Sequence, residues 1–172
     1  MNEVVDRLHS VTAASVYFAD IAVHCSLERA WLALLDYQAW NPHFLGSKVT
    51  PICGMRGCEG EVVLIKDNSP YVTGEAPPEF YAETIKVLAP RRIVWRVYPT
   101  QGRAFCNFVD FGLSETSAAD VRFAVSYYEQ LVLPADLLES HRTESETIYR
   151  QLALAFKAHC ETRSAGTDEV AT

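Results

Sequence analysis

The chain has 172 residues, 49% of them hydrophobic, with a formal net charge of −7. That length and apolar content suit one domain with a real core. The acidic balance offers phosphates no basic stripe, which argues against nucleic-acid binding, and no run of eighteen apolar residues exists to span a membrane.

In chain order, residues 1–14 read as an N-terminal extension. Met1 to Thr12 lacks the basic start and apolar block of a signal peptide. From Ser15 to Cys25 the pattern alternates, with Tyr17, Ala19, Ile21 and Val23 on one face and Asp20 and His24 on the other, a half-buried strand. Ser26 then caps a short helix whose Leu27, Trp31, Leu34 and Leu35 share a face. The stretch Asp36 to Phe44 (DYQAWNPHF) continues as a second short helix until Pro42 stops it.

Six further strands are expected: Leu45–Ile52, Gly60–Lys66, Glu79–Leu88, Arg92–Tyr98, Ala104–Leu113 and Ala119–Leu131. Connections such as Ala89-Pro90-Arg91 are short enough for hairpins, so the sheet is mainly antiparallel. The join from Asp67 to Glu79, with three prolines and a glycine, is longer than a hairpin needs; a lid and a stiff surface loop both fit. Asp136 to Glu161 closes the domain as one amphipathic helix roughly 35–40 Å long. Its stripe is Leu137, His141, Ile148, Leu152, Ala155, Phe156 and His159. Thr143 with Glu146 offers a second possible start. Residues 15–162 thus form the domain, and residues 163–172 a polar, flexible tail.

The five cysteines (Cys25, Cys53, Cys58, Cys106 and Cys160) are scattered. Without a signal segment they suggest reduced thiols in a cytoplasmic protein. Cys53 and Cys58 share a loop, but no second pair follows at zinc spacing, so no metal is expected. No phosphate-binding glycine loop or nucleophile–base pair stands out, and no cofactor is expected.

Three segments carry a resemblance. "SLERAWLALLDYQAWNPHF" resembles the segment after the first strand of the START-like, or SRPBCC, superfamily. "IKVLAPRRIVWRV" is similar to that group's Pro-Arg-Arg hairpin, and "LALAFKAHCE" to its closing helix. The likeness spans about Val16 to Glu161 and is nearest the polyketide cyclase/dehydrase-like branch. It implies an α+β helix-grip fold: a curved antiparallel sheet of about seven strands wrapped around the long C-terminal helix, with two short helices after the first strand. A hydrophobic cavity would lie between sheet and helix.

Strand parity nominates the cavity face. Ile85 and Val87 pointing inward would carry Tyr81 and Glu83 with them. Trp95, Phe105 with Asn107, Phe123 with Tyr127, and Tyr17 on the first strand follow in the same way. The helix stripe adds His141, Ile148 and Leu152. Tyr17, Trp95, Asn107, Phe105, Phe123, His141, Ile148 and Leu152 are therefore the expected ligand contacts, and Glu83, Tyr81 and Tyr127 the expected proton-handling groups. Plainer roles stay open. Glu83 pairs with an arginine as readily as it lines a site, tyrosines pack at a rim, His43 serves as a cap, and Trp31, Trp40 and Trp95 are core.

Two functions remain in view. One is a cofactor-independent cyclase or dehydratase acting on a polyketide or related natural-product intermediate; the other is a carrier of a hydrophobic ligand. A co-chaperone-like interaction module fits the aromatic interior less well. A homodimer is compatible with either leading reading.

Overall fold

The computed structural model describes residues 10–67, 79–100 and 107–162. Its elements run β1 (Ser10–Val23), α1 (Leu27–Leu35), α2 (Tyr37–Trp40), β2 (Lys48–Cys53), β3 (Val62–Lys66), β4 (Glu79–Leu88), β5 (Arg92–Pro99), β6 (Asn107–Ser117), β7 (Asp120–Pro134) and α3 (Ala135–Thr162). The expected order holds. All seven strands form one sheet in the order β1-β7-β6-β5-β4-β3-β2, antiparallel throughout. The helix α3 packs against β1 and β7 and touches both short helices. This is the helix-grip architecture.

β1 starts five residues before the sequence pattern does. Its partner sets that end: β7 continues to Pro134, which pairs with Ser10. The small residues between Ser10 and Ser15 show no apolar alternation to announce a strand, so pairing rather than patterning extends it.

Local chemistry starts α1 as expected, with the Ser26 hydroxyl accepting from the Arg29 amide at 3.3 Å. The helix α3 is continuous through Thr143. There, and at Thr147, the hydroxyl donates to the carbonyl four residues back, at 3.0 and 2.9 Å. A threonine satisfied inside the helix in this way does not cap a new one.

The core is aromatic. Trp40 stands edge-on to Phe111, Phe123 and Phe156, with centroids 6.2, 6.0 and 4.9 Å away. Its indole N–H donates to the Ala33 carbonyl at 2.7 Å. Phe123 stacks on Phe156 at 4.0 Å, joining β7 to α3. Such pairs add about 0.5–1.5 kcal/mol each beyond the area they bury. Trp95 packs among Tyr37, Phe44 and Phe111. These rings fill the space between the sheet and α2 and α3.

Candidate functional site

Between the inner face of the sheet and α3 lies a half-enclosed cavity of about 200 Å³. Its walls are Phe80 and Ala82 of β4, Trp95 and Val97 of β5, and Val109 and Phe111 of β6, with Leu152 facing them from α3. Alternation places one inward side chain every second residue on each strand, so three neighbouring strands build one apolar wall. The volume exceeds that of an apolar cavity able to hold benzene, about 150 Å³.

One polar group of lining residues comes from the segment after α2. Pro42 ends that helix, and the buried Asn41 turns its Oδ1 to accept from the His43 amide at 3.0 Å. The Ser47 hydroxyl donates to the His43 carbonyl at 2.8 Å and lies 3.4 Å from Asp67 Oδ1. His43 and Asp67 both line the cavity. Burial holds the His43 imidazole below its ordinary range, and nearby Asp67 only partly offsets this. At neutral pH His43 is a neutral base.

The second polar group joins β6, β7 and α3. Tyr127 and Tyr149 line the cavity and stack on each other with centroids 4.7 Å apart. Asn107 Nδ2 donates to the Tyr127 hydroxyl at 2.5 Å. Glu129, one inward position beyond Tyr127, is buried, with 2.9 Å between its Oε1 and His141 Nε2. Ser145 Oγ lies 3.4 Å from the same ring nitrogen. Burial first, then the Glu129 charge at Tyr127 and the neighbouring Tyr127 and Glu129 at Tyr149, push both hydroxyls well above the usual phenol range. Both stay protonated and serve as hydrogen-bonding groups.

Several expectations are corrected. Glu83 does not face the cavity. It pairs with Arg96 on the outer face of the sheet, through Oε2 to both Nε (3.1 Å) and Nη2. Tyr81 shares that outer face and packs on Tyr98 at 5.5 Å. A bulge at Ile85 is the reason. Thr84 pairs with Trp95 while Lys86 pairs with Val94, leaving Ile85 unmatched, and one extra residue reverses the parity of everything before it. Phe80, Ala82 and Thr84 therefore point inward. Ile148 is also displaced, to a surface groove beside Glu144 and Gln151. The helix turns Tyr149 toward the sheet instead, on the buried line of Ser145, Leu152, Phe156 and Cys160.

Of the remaining expected contacts, Trp95, Tyr127 and Leu152 line the cavity. Asn107 and His141 act one shell behind it, through Tyr127 and Glu129. Tyr17 is buried in the same aromatic cluster, against Tyr127, Tyr149 and His141. Phe123 is fully buried core. Phe105, and residues 68–78 of the Asp67–Glu79 loop, lie outside the described residues. Sequence reasoning missed His43, Asp67, Glu129 and Tyr149. Glu129 had a signal, because the β7 parity that selects Tyr127 selects it too. Among the described residues, no group of three or more His, Cys, Asp or Glu is placed to hold a metal, and no helix is long and apolar enough to cross a membrane.

By sequence, no family model and no curated protein matches the chain. Solved structures do. The Zhui aromatase/cyclase from Streptomyces sp. R1128 superposes with a TM-score of 0.63 at 17% identity, over 90% of this chain and 99% of that one. A START superfamily protein from Mycobacterium smegmatis gives 0.61 at 15%, over 86% and 97%. A norcoclaurine synthase point mutant from Thalictrum flavum, in complex with a transition-state analogue, gives 0.62 at 15%, over 90% and 98%. Identity this low speaks to architecture alone, and on architecture the strand order and the placement of the long helix agree: the chain has the START-like helix-grip fold.

Proposed function

We propose that the chain binds a hydrophobic, ring-bearing small molecule in this cavity. On that molecule it works as a cofactor-independent cyclase or dehydratase, on a polyketide or related natural-product intermediate. The observation that carries the reading is the pairing of an apolar cavity with a neutral, half-buried imidazole, His43, on its wall. In a dehydration, His43 takes the α-proton of a β-hydroxy ketone. The C–H electron pair becomes the new C=C bond, the β C–O bond breaks, and His43 returns the proton to the departing hydroxide as water. Tyr127 and Tyr149 hold an oxygen of the ligand. Likeness in fold to an aromatase/cyclase and to a norcoclaurine synthase supports a small-molecule transformation over a surface-interaction role.

The test uses a naphthyl β-hydroxy ketone whose enone product absorbs at longer wavelength. The protein should form the enone faster than buffer does, and His43→Gln should cost about 10²–10⁴-fold in rate, with binding measured by Trp95 fluorescence little changed. Binding without any enone above the buffer rate would sink the catalytic reading and leave a carrier of hydrophobic ligands.

A further inference from the structure

The two edges of the sheet differ. The strand order leaves β2 and β1 with a neighbouring strand on one side only. β2 is short and blunted: six residues, with Lys48 at its start, Pro51 offering no amide proton and a register shift beside it. Those are features by which an edge strand resists further pairing. β1 has none of them. Its fourteen residues include no proline, lysine or glycine, and they pair with β7 without a break from Ser10 to Val23.

Two contacts show which backbone groups face the open side of β1. Lys157 Nζ donates to the Ala22 carbonyl at 2.9 Å, and the His24 amide donates to Glu161 Oε1 at 2.8 Å. These two side chains of α3 cover the last stretch of the edge. Along an antiparallel strand, the groups facing away from the neighbour recur at every second residue. Counting back from Ala22, those residues are Asp20, Phe18 and their alternates to Ser10. Among the described residues, nothing bonds to the Phe18 and Asp20 backbone groups on that side. Such a row of donors and acceptors is a template for another strand.

The side chains around this edge fit a copy of the same chain. At neutral pH β1 carries one charged side chain, Asp20, and Arg122 of β7 neutralises it. Two chains of net charge −7 therefore meet along β1 without setting like charges face to face. Phe18 is 62% exposed and Leu154, on α3, is 50% exposed. Both line a groove together with Asp20, Glu146 and Arg150. β1 and α3 run in the same direction, since Lys157 meets Ala22 and Glu161 meets His24. A two-fold, antiparallel contact of β1 with itself thus sets the two long helices antiparallel as well. It brings the Arg150 of each copy toward the Glu146 of the other, and the same patch serves both sides.

We propose that β1 is the interface of a homodimer. The open edges of two copies pair antiparallel about a two-fold axis near Phe18, merging two seven-stranded sheets into one. No described residue of β1 lines the cavity, so each copy keeps its own.

Sedimentation equilibrium of the full chain, over a dilution series, tests this. The unaltered chain should weigh as two copies at the concentrated end and dissociate reversibly on dilution. Phe18→Lys places a cation on each side of the axis and should raise the dissociation constant at least roughly tenfold. Ile52→Lys, an exposed position on the β2 edge, should leave it unchanged. Amide exchange gives a reading that needs no variant: Phe18 and Asp20 should exchange more slowly as chain concentration rises, and β2 should not. A monomer at every concentration overturns the proposal and leaves the edge to another segment of the chain or to an extended peptide. A dimer that Phe18→Lys does not weaken overturns it too, as does a dimer in which the Phe18 and Asp20 amides exchange as fast as in the monomer.

Discussion

Glu83 and Glu129 stand in similar local sequence, each with a tyrosine two residues before it, as Tyr81-Ala82-Glu83 and Tyr127-Tyr128-Glu129. Their surroundings separate them. Glu83 is 22% exposed and answers Arg96 across the β4–β5 ladder, with Arg96 also lying over the Tyr98 ring at 5.5 Å. A partly wet pair of this kind contributes about 0.2–1 kcal/mol. Glu129 is 4% exposed and answers His141 across from α3. Glu83→Gln should therefore leave enone formation as it is and shift urea stability by less than about 1 kcal/mol. A large loss of activity in this variant would return the chemistry to the outer face of the sheet.

Among the elements, α3 carries the most consequence, because it both closes the core and supplies Tyr149 and Leu152 to the cavity. Phe156 is fully buried and stacked on Phe123, whereas Ile148 sits half-buried beside a surface groove. Truncating a buried phenylalanine removes its transfer free energy and leaves a void as well, so Phe156→Ala should cost about 3–5 kcal/mol. Ile148→Ala should cost clearly less, because the groove is already open to water. Equal losses in urea unfolding of the two variants would mean that the helix is turned differently on the sheet. The β4 bulge is the other decisive element. Gly60 donates to the Thr84 carbonyl and Thr84 to the Glu61 carbonyl, both at 2.8 Å, which holds Thr84 inward at the point where Ile85 is left over.

For the molecule as a whole, two histidines pull stability in opposite directions with pH. His43 has a lowered pKa through burial, so between its folded value and 6.5 the unfolded chain binds a proton that the folded chain does not. Its effect is absent above about 6.5 and destabilises as pH falls through that window. His24, raised by Asp120, works the other way: its contribution is complete below 6.5 and fades as pH rises through its folded value. It is fully exposed and screened, so His43 should dominate. Urea midpoints should fall as pH drops below 6.5, and His43→Gln should flatten that slope. An unchanged slope would show that His43 reaches water in the native state.

The order of elements was determined by the sequence alone, because period 2 and period 3.6 are local properties of a strand or helix facing a core. The Ser26 cap, the stop at Pro42, the antiparallel meander and the long closing helix were all legible for that reason. So were Trp95, Tyr127 and Leu152 as cavity residues. What tertiary structure decided was which way each polar group faces and whom it meets. The bulge at Ile85 is a mismatch between two strands, and nothing within Glu79–Leu88 announces it; it carried Tyr81 and Glu83 outward. A single step around α3 replaced Ile148 with Tyr149, since apolar spacing defines the centre of a stripe better than its edges. His43 reads as a cap in sequence, and only the folding of β3 toward it brings Asp67 onto the same cavity wall. Glu129 and His141 became a pair because β7 and α3 fold back on each other, and a hydrogen bond between two elements is written in neither of them.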